Sequence, residues 1–244
     1  MSEPAELLEF AKLVVMEVAN DFLSRDRSDL SQVAGSEWGG REVKLVADVV
    51  LESMLLDRFL PTGLTVLSEE TGLIRQGADS VLKWIIDPLD GSVNYLRGIG
   101  PSAISVALWR EETPVFGVLF KLDERSLAWG GREMGAWVDD NAIHVSTQSN
   151  LDQAILCSGV PARFHAHDAV LVSDYFLRIA KFAKVRMIGS AACSLLMVAR
   201  GAADAYFEDQ IMLWDVAAGL AIVEGAGGVF VIKQKAPELP CQVL

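Results

Sequence analysis

Histidine and cysteine are scarce: three of each occur among 244 residues. So few, so scattered, make a zinc hydrolase or a disulfide framework a poor reading. Cys157, Cys193 and Cys241 are expected to be buried thiols of a cytoplasmic protein. Neither a P-loop nor a G-x-G-x-x-G is present, which argues against kinases and dinucleotide enzymes. Basic residues are the minority, 21 Lys+Arg against 33 Asp+Glu, and a net charge of −12 does not suit a partner as anionic as nucleic acid. No apolar run reaches about 18 residues without a charge, so no membrane span is expected. Glu3, Glu6 and Glu9 put acid where a signal peptide carries base. Repeats, low-complexity tracts and long linkers are also missing. What is plentiful is apolar residues, 51% of the chain, with 22% charged residues spread along it. A chain of this size buries roughly 70–75% of its unfolded surface, enough to fold without staples.

Apolar residues at Leu7, Ala11, Val14, Val15, Val18 and Phe22 predict a helix from Pro4 to about Arg25. After a glycine-rich loop at 35–40, Leu45, Val49, Met54 and Phe59 predict a second helix that stops near Pro61 and Gly63. Short apolar runs predict strands at Leu64–Leu67, Val81–Ile86, Ala103–Trp109, Val115–Leu122, Ser126–Trp129 and Ala136–Val138. Beyond these the chain alternates. Strands are expected at Ala154–Cys157, Val185–Ile188, Ala203–Phe207 and Val229–Ile232, with helices at Asp168–Phe182, Ser190–Arg200 and from Trp214. The first part reads as α+β and the second as α/β. A single unit, 1–244, with an α+β lobe of about 1–146 and an α/β lobe of about 147–244 is the expectation.

The acids fall at the ends of the predicted strands. Glu69 and Glu70 follow Leu64–Leu67, Asp87 follows Ile86 with Asp90 three residues on, and Asp215 opens the last helix. Strand ends project such groups into the crevice where α/β proteins bind ligands. Carboxylates crowded there repel one another unless a cation intervenes, and oxygen-only ligands select hard ions such as Mg²⁺. In Asp87-Pro88-Leu89-Asp90-Gly91-Ser92 the proline fixes a turn that lets Asp87 and Asp90 converge, and the Leu89 carbonyl can add a ligand. Gly91 and Ser92, at a helix start, offer N–H groups to an anion. Paired ions about 3.5–4 Å apart clamp the attacking and leaving oxygens of an in-line displacement.

Three segments, Leu67–Thr71, Trp84–Tyr95 and Trp214–Gly219, resemble the signature motifs of the inositol monophosphatase superfamily, Mg²⁺-dependent and lithium-sensitive phosphatases. The resemblance runs from the first helix to Ile232. It implies a layered αβαβα sandwich, two or three Mg²⁺ per site, and a homodimer. It implies metal ligation by Glu69, Asp87, the Leu89 carbonyl, Asp90 and Asp215, and phosphate binding by Gly91 and Ser92. It implies that Asp48 pairs with the Ser92 hydroxyl to orient the attacking water, Glu69 anchoring the ions that activate it. Glu208 and the segment Gly189–Ala192, Ala191 included, match substrate-facing positions.

Ser92 stands where threonine is commoner, and Gly35–Glu42 lacks the usual lysine and Val-Thr pattern. That loop resembles the Ser-x-x-Gly-Asp-Glu type of archaeal enzymes acting on both inositol phosphates and fructose 1,6-bisphosphate. The chain ends at Leu244, short of the strand and helix that usually follow. The expected activity is hydrolysis of myo-inositol 1-phosphate or a similar polyol or sugar phosphate. Fructose 1,6-bisphosphate is the alternative substrate, and a catalytically weak metal-binding regulator the alternative of another class. Other conspicuous residues have plainer readings. Glu70 is expected to be a solvated turn residue, Asp204 structural, and His165 and His167 solvated. His144 is expected on a strand, Cys193 in packing, and Trp84, Trp109, Trp129 and Trp214 in the core or an interface.

Overall fold

The apolar stripe of the first segment forms α1 (Pro4–Ser24), which buries Leu8, Ala11, Val15, Val18 and Phe22. A short helix, α2 (Arg27–Leu30), capped by the Asp26 side chain, and then α3 (Val46–Phe59) follow. The computed structural model describes residues 3–34, 44–75, 81–160, 167–234 and 239–244. The expected loop at Gly35–Glu42 and the histidine His165 lie outside them.

Next come β1 (Thr65–Ser68), β2 (Gly72–Ile74), β3 (Leu82–Asp90), α4 (Ser92–Arg97), β4 (Ala103–Arg110), β5 (Thr113–Lys121), β6 (Ser126–Gly131), β7 (Gly135–Val138) and β8 (Asn141–Ala142). The strands make one sheet in the order β2-β1-β3-β4-β5-β6-β7-β8, in which only β1 and β3 run parallel. The remainder comprises β9 (Ile155–Ser158), α5 (Ala169–Ile179), β10 (Lys184–Arg186), α6 (Ala191–Ala199), β11 (Ala205–Ile211), α7 (Leu213–Gly225), β12 (Ile232–Lys233) and β13 (Cys241–Val243). Its strands form a second sheet in the order β10-β9-β11-β13-β12, parallel through β9 and antiparallel at β13.

Alternation along the strands assigns the layers. Trp84, Ile86, Ile104, Val106, Phe116 and Val118 pack against α1 and α3, while Ile85, Ala107, Trp109 and Leu119 face α6 and α7. The second sheet covers the other side of α6, and α5 closes the stack through Tyr175 and Ile179 on Leu156 and Phe207. The result is the αβαβα sandwich.

Three expectations need correction. The strand expected to end at Ile86 runs on to Asp90. Of Val229–Ile232 only the end is paired, Ile232 in β12 and Val231 through two backbone bonds with Leu244, while Val229 is 92% exposed. That end is joined to β11 through an unexpected strand, β13, which lies between β11 and β12 and is too short and too mixed in character to stand out in the sequence. His144 lies outside any strand and is exposed.

Candidate active site

A β-bulge brings the first two acids together. In a regular strand, residues three apart such as Asp87 and Asp90 face opposite sides. Here Asp87 pairs with Ser105 and Asp90 with Ala103, so β3 holds one residue more than β4 across this stretch. The extra residue restores the parity and turns both carboxylates toward α7. Pro88 fits such a position because a bulge tolerates a missing N–H. Glu69 arrives from the parallel neighbour: it follows the last residue of β1, and its N–H donates to the Ile86 carbonyl at 3.1 Å.

The third acid comes from α7. That helix lies so close to the sheet that a Cβ on Gly117 would stand 2.2 Å from the Ala218 carbonyl oxygen. Asp215, in its first turn, accepts the Met212 N–H at 3.0 Å, an N-terminal acid bond that fixes the side chain. Asp87, Asp90 and Asp215 thereby present carboxylate oxygens within 4.8 Å of one another.

This crowding has an electrostatic cost. Asp87 and Asp215 are raised well above the usual carboxylate range by burial and by their acidic neighbours. Burial first, then Glu70, Asp48 and Asp90, push Glu69 up to about 8 against a hydrogen bond with Asp87. Asp90 rises only to about 6, because burial is opposed by the Ser190 hydroxyl and the Ala192 and Ala191 N–H groups at the start of α6. Asp87 Oδ1 accepts the Leu89 N–H at 3.0 Å, whereas Oδ2 is buried and meets no donor. Asp87 and Glu69 can bond each other only with a proton between them. An oxygen-only donor set with an orphaned, buried carboxylate oxygen fits a hard divalent cation.

A cavity of 480 Å³ opens above the cluster, with Glu69, Asp90, Ser92 and Asp215 in its wall. Ser92 Oγ stands 2.7 Å from Asp48 Oδ1 and 2.9 Å from the Leu89 carbonyl, so its one proton goes to either. Asp48 is held in turn by the Leu45 N–H at 2.5 Å on Oδ2, and burial lifts it to about 6. Gly91 caps α4 with φ +85°, and a Cβ there would lie 2.9 Å from the Pro101 carbonyl oxygen, so this position needs glycine. Across the cavity Glu208, buried, accepts the Tyr206 hydroxyl at 2.7 Å and is raised to about 7, chiefly by burial.

Each site residue expected from the sequence therefore lies at or directly beneath this cavity. Ala191 lines it while giving its N–H to Asp90. Glu70 departs from expectation: it is ion-paired with Lys44 and both line the cavity. Lys44 is the one cation among the described lining residues. Ser190 belongs to the segment Gly189–Ala192 expected to face substrate, but sequence reasoning missed its role: its hydroxyl donates to Asp90 and accepts the Cys193 N–H at 3.2 Å. A serine opening an apolar helix is a capping signal that could have found it. Gln210, at φ +63° in a bulge of β11, lines the cavity without any such signal. Trp214 lines it too, while Trp84 and Trp109 are core residues and Trp129 stacks on Trp137. Asp204 accepts the Ile155 N–H at 2.6 Å, His167 is exposed, and Cys193 is buried and raised to about 12 by burial.

Residues 3–239 match the model of the inositol monophosphatase family. The inositol-1-monophosphatase of Caulobacter vibrioides is 32% identical over 210 residues, covering 84% of this chain and 82% of that protein. A fructose-1,6-bisphosphatase/inositol-1-monophosphatase of Aquifex aeolicus is 29% identical over 235 residues, covering 95% and 88%. Among solved structures, the extragenic suppressor protein suhB of Bartonella henselae superposes with a TM-score of 0.83 at 28% identity, over 98% of this chain and 93% of that one.

Proposed function

Because this chain belongs to the inositol monophosphatase family, we propose that it hydrolyses a phosphate monoester of a polyol or sugar, with myo-inositol 1-phosphate the preferred substrate. The observation that carries this reading is the convergence of Asp87, Asp90 and Asp215 within 4.8 Å around a buried carboxylate oxygen that meets no donor. Two or three Mg²⁺ ions would be held by Glu69, Asp87, the Leu89 carbonyl, Asp90 and Asp215. Bound there, they supply neutralisation of phosphate charge and a water of lowered pKa.

The chain's own residues do the rest. The first N–H groups of α4, at Gly91 and Ser92, have no partner inside the helix and face the phosphate oxygens. The Ser92 hydroxyl turns its proton to Asp48 Oδ1 and accepts one from the attacking water, so this pair orients the nucleophile. Glu208, with Oε2 taken by Tyr206, keeps Oε1 for a hydroxyl of the leaving alcohol. We take residues 1–146 and 147–244 as two lobes sharing the site, a division supported by the confinement of one sheet to 65–142 and of the other to 155–243. The working unit is a cytoplasmic homodimer in this reading, supported by three free, buried cysteines and by exposed Val170, Phe176 and Leu177 on α5. Light scattering checks the dimer. Among the described residues no helix is long and apolar enough to cross a membrane.

Release of inorganic phosphate, assayed with and without Mg²⁺, tests the proposal. Asp90→Asn should lower kcat at least ~10²-fold with the fold retained, by removing preorganised charge. Near-normal turnover in that variant refutes the assignment and favours a metal-binding regulator. A second substrate, fructose 1,6-bisphosphate, is favoured by the bifunctional name of the Aquifex aeolicus relative. Comparing kcat/KM for inositol, fructose, glycerol and histidinol phosphates decides between them.

A further inference from the structure

The turn that carries Glu69 and Glu70 is tied down by a buried acid that none of the chemistry above uses. Glu52 lies in α3, one helical turn after Asp48, so the two acids share a face of the helix. Its side chain is 8% exposed, and it accepts three hydrogen bonds. Oε1 takes the Ser68 hydroxyl at 2.6 Å and the Thr71 N–H at 3.0 Å, and Oε2 takes the Thr71 hydroxyl at 2.8 Å. These donors flank Glu69 and Glu70 on both sides. Between them, the Glu69 N–H is fixed on the Ile86 carbonyl, and the Glu70 carboxylate on Lys44. A turn between two strands has no ladder of its own to aim a side chain, so these tethers set where the Glu69 carboxyl stands.

We propose that Glu52 is a positioning residue for the metal site: it clamps the Ser68–Thr71 turn so that Glu69 meets Asp87. The proposal rests on the metal reading of the acid cluster. A single helix then sets two parts of the site, holding Ser92 through Asp48 and the Glu69 turn through Glu52. Supports of this kind around a ligand are worth about 10–100-fold in metal affinity.

Glutamine separates clamping from charge. Its carbonyl can keep the bonds from the Ser68 hydroxyl and the Thr71 N–H while its amide donates to the Thr71 hydroxyl, which rotates to accept. Calorimetric titration of the full chain with Mg²⁺, which needs no turnover, reads the effect. Glu52→Gln should bind within about threefold of wild type, and Glu52→Ala at least about tenfold more weakly. The kcat of Glu52→Ala at saturating Mg²⁺ should recover most of the wild-type value. Thr71→Val, which removes one of the three donors, provides the test if Glu52→Ala does not fold, and should also weaken Mg²⁺ binding. Wild-type affinity in Glu52→Ala or Thr71→Val overturns the proposal, as does an equal loss in Glu52→Gln and Glu52→Ala. A wild-type chain that takes up no Mg²⁺ overturns the metal reading itself, and this proposal with it.

Discussion

Asp87 is buried with one carboxylate oxygen facing no donor, in contact range of acids that cannot all ionise together. Such a residue weakens the metal-free fold and serves only when a cation is present. Asp87→Asn replaces the orphaned oxygen by an amide that can donate to Glu69, while the remaining oxygen keeps the Leu89 N–H. Differential scanning calorimetry at pH 8 without metal should find its Tm above wild type, by about 2–4 °C for each kcal/mol recovered in a chain of this size. Added Mg²⁺ should raise the variant's Tm far less than the wild type's, and a lower metal-free Tm would contradict the argument. The acids themselves were legible in the sequence, because strand ends and helix first turns are places where an acid is either solvated or functional. Their supports were not. Glu52, Ser190 and Lys44 act across 16 or more residues, through bonds no local pattern encodes. Glu70 was misread for the same reason, since its partner Lys44 comes from before α3.

The close seat of α7 on the first sheet depends on small residues at matched places, Gly117 on β5 against Ala217 and Ala218. It delivers Asp215 to the ends of the strands, so packing and chemistry are one requirement there. Gly117→Ala would force a methyl to 2.2 Å from the Ala218 carbonyl oxygen. Lifting the helix should cost about 1–3 kcal/mol, read as a lower midpoint in urea. It should also weaken Mg²⁺ binding, because Asp215 moves with the helix. Unchanged stability would show that the helix has slack. The helices and central strands were readable because period and turn residues agree along them. Two features were not. The bulge at Asp87–Asp90 is a register relation with β4, invisible in β3 alone. The strand β13 is three residues whose pairing is decided by β11 and β12.

Over the whole molecule, the acid cluster concentrates a repulsion that a net charge of −12 already imposes. Glu69 rises to about 8, Glu208 to about 7, and Asp48 and Asp90 to about 6, mainly by burial. The folded chain thus holds protons that the unfolded chain has released, and its stability falls as pH climbs from about 4 to about 8. Without metal, Tm should decline across that window, and Mg²⁺ should raise it more at pH 8 than at pH 5. A flat profile would mean that these groups titrate as solvated acids do. Because a cation requires the carboxylates ionised, binding must expel the protons they share. The most direct test is calorimetric titration of the metal-free protein with Mg²⁺ at pH 7, in two buffers of different ionisation enthalpy. Binding heats that differ between the buffers by a net proton release are expected, whereas absence of binding, or heats identical in both, would contradict a divalent-metal centre built on Glu69, Asp87, Asp90 and Asp215.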